Sequence, residues 1–188
     1  FAQIWGTEKL QVSRDRASIN PPERPGYEYT GPWLHWDLNV DDVPDKIGVQ
    51  GILYLTDTAA DQGAFACVPG FHLTLREWLK SLPKTVDPRE KVREEFSDRA
   101  VFAEGSAGDL VIWHTGLPHG SSPNRNIKPR IAQYVTMNPA PERRKKKDKE
   151  ESERWWQQRL TGLGKNEKEI EHSEGKTAEL TKLGRKLL

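Results

Sequence analysis

The chain has one cysteine, one methionine and no long apolar run in its 188 residues. A single thiol, Cys67, excludes an internal disulfide and any zinc site built from several cysteines. It permits a reducing setting, and the protein is expected to be cytoplasmic. No apolar stretch approaches the roughly 20 residues needed to cross a bilayer, and no signal-peptide pattern is present, so no membrane partner is expected. Charge of one sign is missing as well. The 29 basic residues stand against 28 acidic ones, which removes any general pull toward nucleic acid. The sequence opens on Phe1, and its only methionine is Met137. It therefore reads as a trimmed or partial chain, whose missing N-terminal region is a candidate contributor to the site.

Hydrophobic residues make up 35% and charged residues 30% of the chain, and the two are unevenly spread. Residues 1–140 read as one globular core and 141–188 as a charged tail that begins ERRKKKDKEESER. Within the core, β-rich runs alternate with turn chemistry. Strands are expected over Ala2–Ser13, Trp33–Val40, Val49–Thr56, Ala64–Val68, Ala100–Glu104, Asp109–Trp113 and Pro129–Asn138. Turns are expected at Asn20-Pro21-Pro22, Asp61-Gln62-Gly63, Pro69-Gly70 and Gly105–Gly108. A helical insert spans Leu73–Phe96, broken at Pro83 and Pro88. Many short strands with regular turns favour a sandwich or barrel over a βαβ fold. The tail reads as helices over Lys147–Leu160 and Lys176–Leu187 around Gly162 and Gly164. Trp155 and Trp156 offer a way to dock it, although a solvated helix accounts for the composition.

The informative segment is Gly31-Pro32-Trp33-Leu34-His35-Trp36-Asp37-Leu38-Asn39. Residues two apart in a strand project to one face, so His35 and Asp37 offer an imidazole and a carboxylate side by side. Such a pair suits a divalent iron, and a second histidine would complete a facial triad with three open positions. By itself, His-x-Asp is a weak signal that a structural histidine, satisfying a neighbouring carbonyl, explains better. A second segment runs GDLVIWHTGLPHGSSPN from Gly108 to Asn124. Here Leu110–Trp113 is expected as a buried strand, with His119 on the turn after it. An antiparallel return would bring Arg130 beside His119, and a guanidinium fork matches a carboxylate at two points.

Together, the HWD stretch, the GDLVIWHTGLPHGSSPN stretch and the later Arg130 resemble the phytanoyl-CoA dioxygenase-like family of 2-oxoglutarate oxygenases. Asp61–His72, DQGAFACVPGFH, resembles that family's middle motif. The resemblance covers roughly Trp33 to Asn138. It implies a mainly β double-stranded β-helix, a cupin-like jelly roll with a short helical insert and the charged helical tail. It implies Fe(II) on His35, Asp37 and His119, and 2-oxoglutarate on Arg130 with help from the Ser121 hydroxyl. It further implies a dioxygenase that uses O2 to hydroxylate a C–H of a small-molecule substrate, releasing succinate and CO2. Asp37 fills the position a halogenase leaves vacant for halide, which favours hydroxylation. The chain departs from the pattern at Phe71, where a small hydroxyl residue is common, and in having only 34 residues before His35.

Other residues compete for roles. His114 is the alternative third metal ligand, His72 a loop residue, His172 a solvated tail histidine and Arg125 an alternative carboxylate anchor in a turn. Gln50 and Tyr54 share a strand face, and Gln50 is a candidate to hydrogen-bond the co-substrate. Arg14 and Arg16 share a face near the pocket. Trp36 is a candidate cofactor contact. A cupin of another reaction class, or a non-catalytic binding module with Trp33 and Trp36 as an exposed platform, is the rival reading. Substrate identity and oligomeric state are not legible.

Overall fold

The computed structural model describes residues 1–13, 15–29, 31–41, 43, 48–142, 146–158, 160–161, 170–171 and 176–187. Arg14, Gly162, Gly164 and His172 lie outside the described residues. The strands are β1 (Leu10–Val12), β2 (Ala17–Asn20), β3 (Val49–Tyr54), β4 (Phe65–Cys67), β5 (Val101–Ala103) and β6 (Leu110–His114). They continue with β7 (His119–Ser121), β8 (Arg130–Tyr134), β9 (Met137–Pro139), β10 (Leu160–Thr161) and β11 (Ile170–Glu171). The α-helices are α1 (Ala2–Trp5), α2 (Leu75–Ser81), α3 (Pro88–Phe96), α4 (Lys146–Gln157) and α5 (Lys182–Leu187). The chain divides into two compact units, one of Arg16–Thr136 and one of Phe1–Asp15 with Met137–Leu188.

The first unit holds two antiparallel sheets, one ordered β2-β8-β3-β6 and one ordered β5-β4-β7. Ile52, Tyr54, Phe65, Trp113 and Ala132 close the space between them. Tyr54 ties the sheets together: its hydroxyl donates to the Ala103 carbonyl at 2.7 Å and accepts the Phe65 N–H at 2.9 Å. A phenol buried with both capacities used adds its packing without an orphaned polar atom. The second apolar cluster joins Leu34, Trp36 and Val40 to Val68, Phe71, Leu75 and Val92. Phe71, the departure from the usual small hydroxyl residue, is thus a core side chain. The helical insert breaks as its prolines require. Pro88 opens α3, and Asp87 caps it by accepting the Arg89 N–H at 2.8 Å.

Several expectations need correction. Trp33–Val40 forms no strand among the described residues; a single bridge, His35 to His119, is its only pairing. Alternation survives all the same, because Leu34 and Trp36 are buried while His35 and Asp37 face away from them. The run Leu110–Trp113 is not a buried strand. It lies at the sheet edge, with Leu110 exposed and only Trp113 fully covered. Finally, Arg130 does not return beside His119 on a neighbouring strand, because β7 and β8 belong to different sheets.

In the other unit, Ala2–Trp5 is a helix where a strand was expected. Gly6, at φ 64°, ends it, and only Leu10–Val12 pairs, with β9. The Trp5 indole donates to the Met137 carbonyl at 2.8 Å. Helix α4 carries Lys146–Glu150 and Lys149–Glu153 pairs one turn apart, as a solvated helix does. The Trp156 indole donates to the Ala178 carbonyl at 2.9 Å. Among the described residues, no helix is long and apolar enough to cross a membrane.

Candidate metal centre

The site is assembled by β7 and the extended segment that carries His35. β7 pairs with β4 on one edge, His119 opposite Cys67. On its other edge His35 N–H donates to the His119 carbonyl at 2.9 Å, and His119 N–H donates to the His35 carbonyl at 3.0 Å. Residues that exchange both hydrogen bonds point their side chains the same way, and the two imidazole centroids stand 4.6 Å apart. This approach needs Gly120. A Cβ there would lie 3.0 Å from the Trp33 carbonyl oxygen, and the backbone cannot yield as a flexible side chain can.

Each histidine is oriented by its own chain. Nδ1 of His35 lies 3.0 Å from the Trp33 carbonyl, and Nδ1 of His119 lies 3.0 Å from the Leu117 carbonyl. A ring nitrogen against a carbonyl must carry the proton, so both Nδ1–H groups donate and both Nε2 atoms turn to Asp37. Nε2 of His35 is 3.8 Å from Asp37 Oδ1, and Nε2 of His119 is 3.5 Å from Asp37 Oδ2. One ligand atom from each of the three residues lies within 4.8 Å of the others, the only such group of three among the described residues. Asp37 is held well below the usual carboxylate range, chiefly by the His119 ring beside it, with Gln50 adding to it against the opposing effect of burial. Burial lowers the pKa of His35, and the neighbouring His119 lowers it further, which favours the neutral form that binds metals. Two imidazoles and one ionised carboxylate are a donor set for a divalent transition metal with open positions.

Arg130 lies on β8 at the far sheet, two residues before the core residue Ala132 and on the same face. It is 3% exposed, and its Nε and Nη1 are buried with no partner in the protein. An unpaired buried guanidinium is costly, so an anion is the missing complement. The same interior is walled by Phe65 and Trp113, whose rings lie 6.0 and 5.1 Å from the His119 ring. Ser121 sits two residues past His119 and donates to the Tyr29 hydroxyl at 3.4 Å.

The remaining expected residues fall elsewhere. Gln50 is beside Asp37, its Nε2 donating to Oδ2 at 2.6 Å. Trp36, expected against the cofactor and in the rival reading exposed, is 3% exposed in the apolar cluster. Its indole donates to the Gly116 carbonyl at 3.0 Å, because alternation turns it away from His35 and Asp37. Trp33 is half exposed under the Arg93 guanidinium, 5.2 Å from the ring centroid. His114 faces His72 at 4.6 Å rather than Asp37. Arg125 lies in solvent against Glu23, and Arg16 stacks near the Tyr134 ring. Sequence reasoning missed Tyr29 and Trp113 as site residues. No motif marks Tyr29; Trp113 was legible as the cross-strand partner of Gln50 once β3 and β6 are paired.

A sequence profile described as phytanoyl-CoA dioxygenase (PhyH) matches residues 4–132. Ava biosynthesis cluster protein O of Aspergillus versicolor is 30% identical over 155 residues, covering 74% of this chain and 50% of that protein. Ectoine dioxygenase of Halomonas elongata is 27% identical over 150 residues, covering 72% of this chain and 45% of that enzyme. The fold is shared with the epimerase SnoN, solved in complex with Fe3+, alpha ketoglutarate and nogalamycin RO. That match has a TM-score of 0.52 at 18% identity, over 72% of this chain and 52% of SnoN. The chain spans half or less of the length of the curated relatives it matches.

Proposed function

The chain belongs to the phytanoyl-CoA dioxygenase family, and from that premise we propose that it is the core of an Fe(II)- and 2-oxoglutarate-dependent oxygenase acting on a small molecule. The observation that carries this reading is the pairing of a His-Asp-His group with a buried guanidinium of which Nε and Nη1 have no partner in the protein. His35, Asp37 and His119 are the proposed iron ligands, and Arg130 the anchor for the distal carboxylate of 2-oxoglutarate. Ser121, on the same face of β7 as His119, is proposed to turn its hydroxyl from Tyr29 to that carboxylate. The two antiparallel sheets with interior ligands support a double-stranded β-helix.

When bound, iron with 2-oxoglutarate and O2 supplies oxidative decarboxylation to succinate and CO2, coupled to oxidation of a substrate C–H. The chain's own part is orientation and exclusion of water. The backbone carbonyls of Trp33 and Leu117 fix which ring nitrogen each histidine presents. Phe65 and Trp113 cover the inner side of His119, so the ligand side chain is almost wholly removed from solvent. His35 and Asp37 remain about half exposed, which leaves the approach to the site on their side. Hydroxylation is the proposed outcome, because Asp37 keeps the carboxylate position filled. SnoN is called an epimerase, so product identity has to be read directly.

Anaerobic titration of the protein with Fe(II) and 2-oxoglutarate tests the proposal through the visible charge-transfer band of the chelate. A band that His35→Ala abolishes and Arg130→Ala weakens is expected. Absence of the band in the unaltered chain, with no iron retained, would overturn the reading.

A further inference from the structure

Asp37 is the weakly held member of the proposed triad. Both histidine rings are pinned by backbone carbonyls, whereas the Asp37 side chain is about half exposed and a carboxylate free to turn presents one oxygen or both to a cation. What restrains it is Gln50 on β3, whose Nε2 donates to Oδ2 at 2.6 Å. The orientation of that amide is dictated by charge: its oxygen would repel the carboxylate, so its NH2 faces Asp37. The cost is visible at the other end, where Gln50 Oε1 is buried without a donor. A buried acceptor left without a donor is unfavourable, so the amide is held in this orientation at the expense of its own hydrogen bonding.

Resting on the metal reading above, we propose that Gln50 is a positioning residue that tethers Asp37 Oδ2 and leaves Oδ1 as the single oxygen offered to the metal. Two histidine nitrogens and one carboxylate oxygen occupy three positions and leave three adjacent ones for a chelating co-substrate and O2. A carboxylate free to bind through both oxygens takes a fourth, and once 2-oxoglutarate chelates the metal no position remains for O2. Gln50 therefore acts through Asp37, not on the co-substrate.

Co(II) is the probe, added without O2 to the whole chain, with affinity read by calorimetry and ligation by the visible spectrum. Gln50→Met keeps the side-chain length and removes the donor. Loss of one such outer hydrogen bond is expected to weaken Co(II) binding about 10- to 100-fold and to alter the cobalt spectrum. The thermal midpoint without metal should stay close to that of the parent chain. Wild-type affinity and spectrum in Gln50→Met overturn the tether while leaving the metal reading intact. If Gln50→Met does not fold, near-isosteric Gln50→Glu serves instead: a second carboxylate facing the ion must change the cobalt spectrum, and an unchanged spectrum overturns the proposal. A parent chain that takes up no Co(II) overturns the metal reading first and the tether with it.

Discussion

His35 and His119 face each other across a single antiparallel bridge, exchanging hydrogen bonds of 2.9 and 3.0 Å. Their side chains emerge on one side with 4.6 Å between ring centres. The geometry of the two nitrogen ligands is therefore set by the main chain, and side-chain substitutions should remove a ligand without moving its neighbour.

On that basis His35→Ala or His119→Ala should each weaken Co(II) or Fe(II) binding by more than the roughly 10- to 100-fold typical of an outer-shell change. Anaerobic equilibrium dialysis checks this. His114→Ala should leave metal affinity unchanged, since His114 faces His72.

Arg130 is expected to trade stability against ligand binding. Arg130→Met removes an unpaired buried charge, so the unliganded chain should gain thermal stability, by about 1–4 kcal/mol on the scale of buried ion replacements. The same change should weaken 2-oxoglutarate binding at least tenfold through loss of about 1.5–3 kcal/mol of charge-assisted hydrogen bonding, with metal affinity retained. Thermal melts and calorimetry separate the two effects.

Tyr54→Phe should cost about 1–3 kcal/mol, because it leaves the Phe65 N–H and the Ala103 carbonyl without their shared partner between the sheets. Chemical denaturation measures it. The metal ligands are not touched, so Co(II) affinity in the folded variant should match that of the parent.

Burial, and then the charge of His72, lowers the pKa of His114 from its ordinary 6.5. In the unfolded chain the residue protonates at the ordinary value, so between the two values the unfolded state binds more protons. Stability should accordingly fall as pH drops below about 6.5, by tenths of a kcal/mol for a group so partly covered. His114→Gln should flatten that part of the pH profile, measured as denaturation midpoints from pH 8 to pH 5.

The residues that make the site were readable to the extent that they carry chemistry in local patterns. His35 and Asp37 were legible as a pair because alternation places them together even where no regular strand forms. Core β-runs such as Val49–Tyr54 and Phe65–Cys67 were legible from β-branched and aromatic density. Trp36 was misplaced because attention to its neighbours obscured the same alternation, which turns it into the apolar cluster. Helix α1 was missed because four residues carry too little periodicity to distinguish a turn of helix from a strand. β7 was missed because Pro118 and Gly120 read as a turn. Its pairing comes from β4 and His35, far away in sequence. Gln50 was legible as a candidate contact to the co-substrate, but its contact with Asp37 depends on sheet register that no local pattern encodes.

Gly120 gives the metal centre an unusual kind of dimension. The gap between Gly120 and the Trp33 backbone is a clearance, kept by a hydrogen where every other residue has a carbon. Clearances can be closed from one side only: Gly120→Ala has to push the Trp33 carbonyl outward, and with it the acceptor that holds His35 Nδ1. The gauge of the site is thus set at a position with no reactive atom.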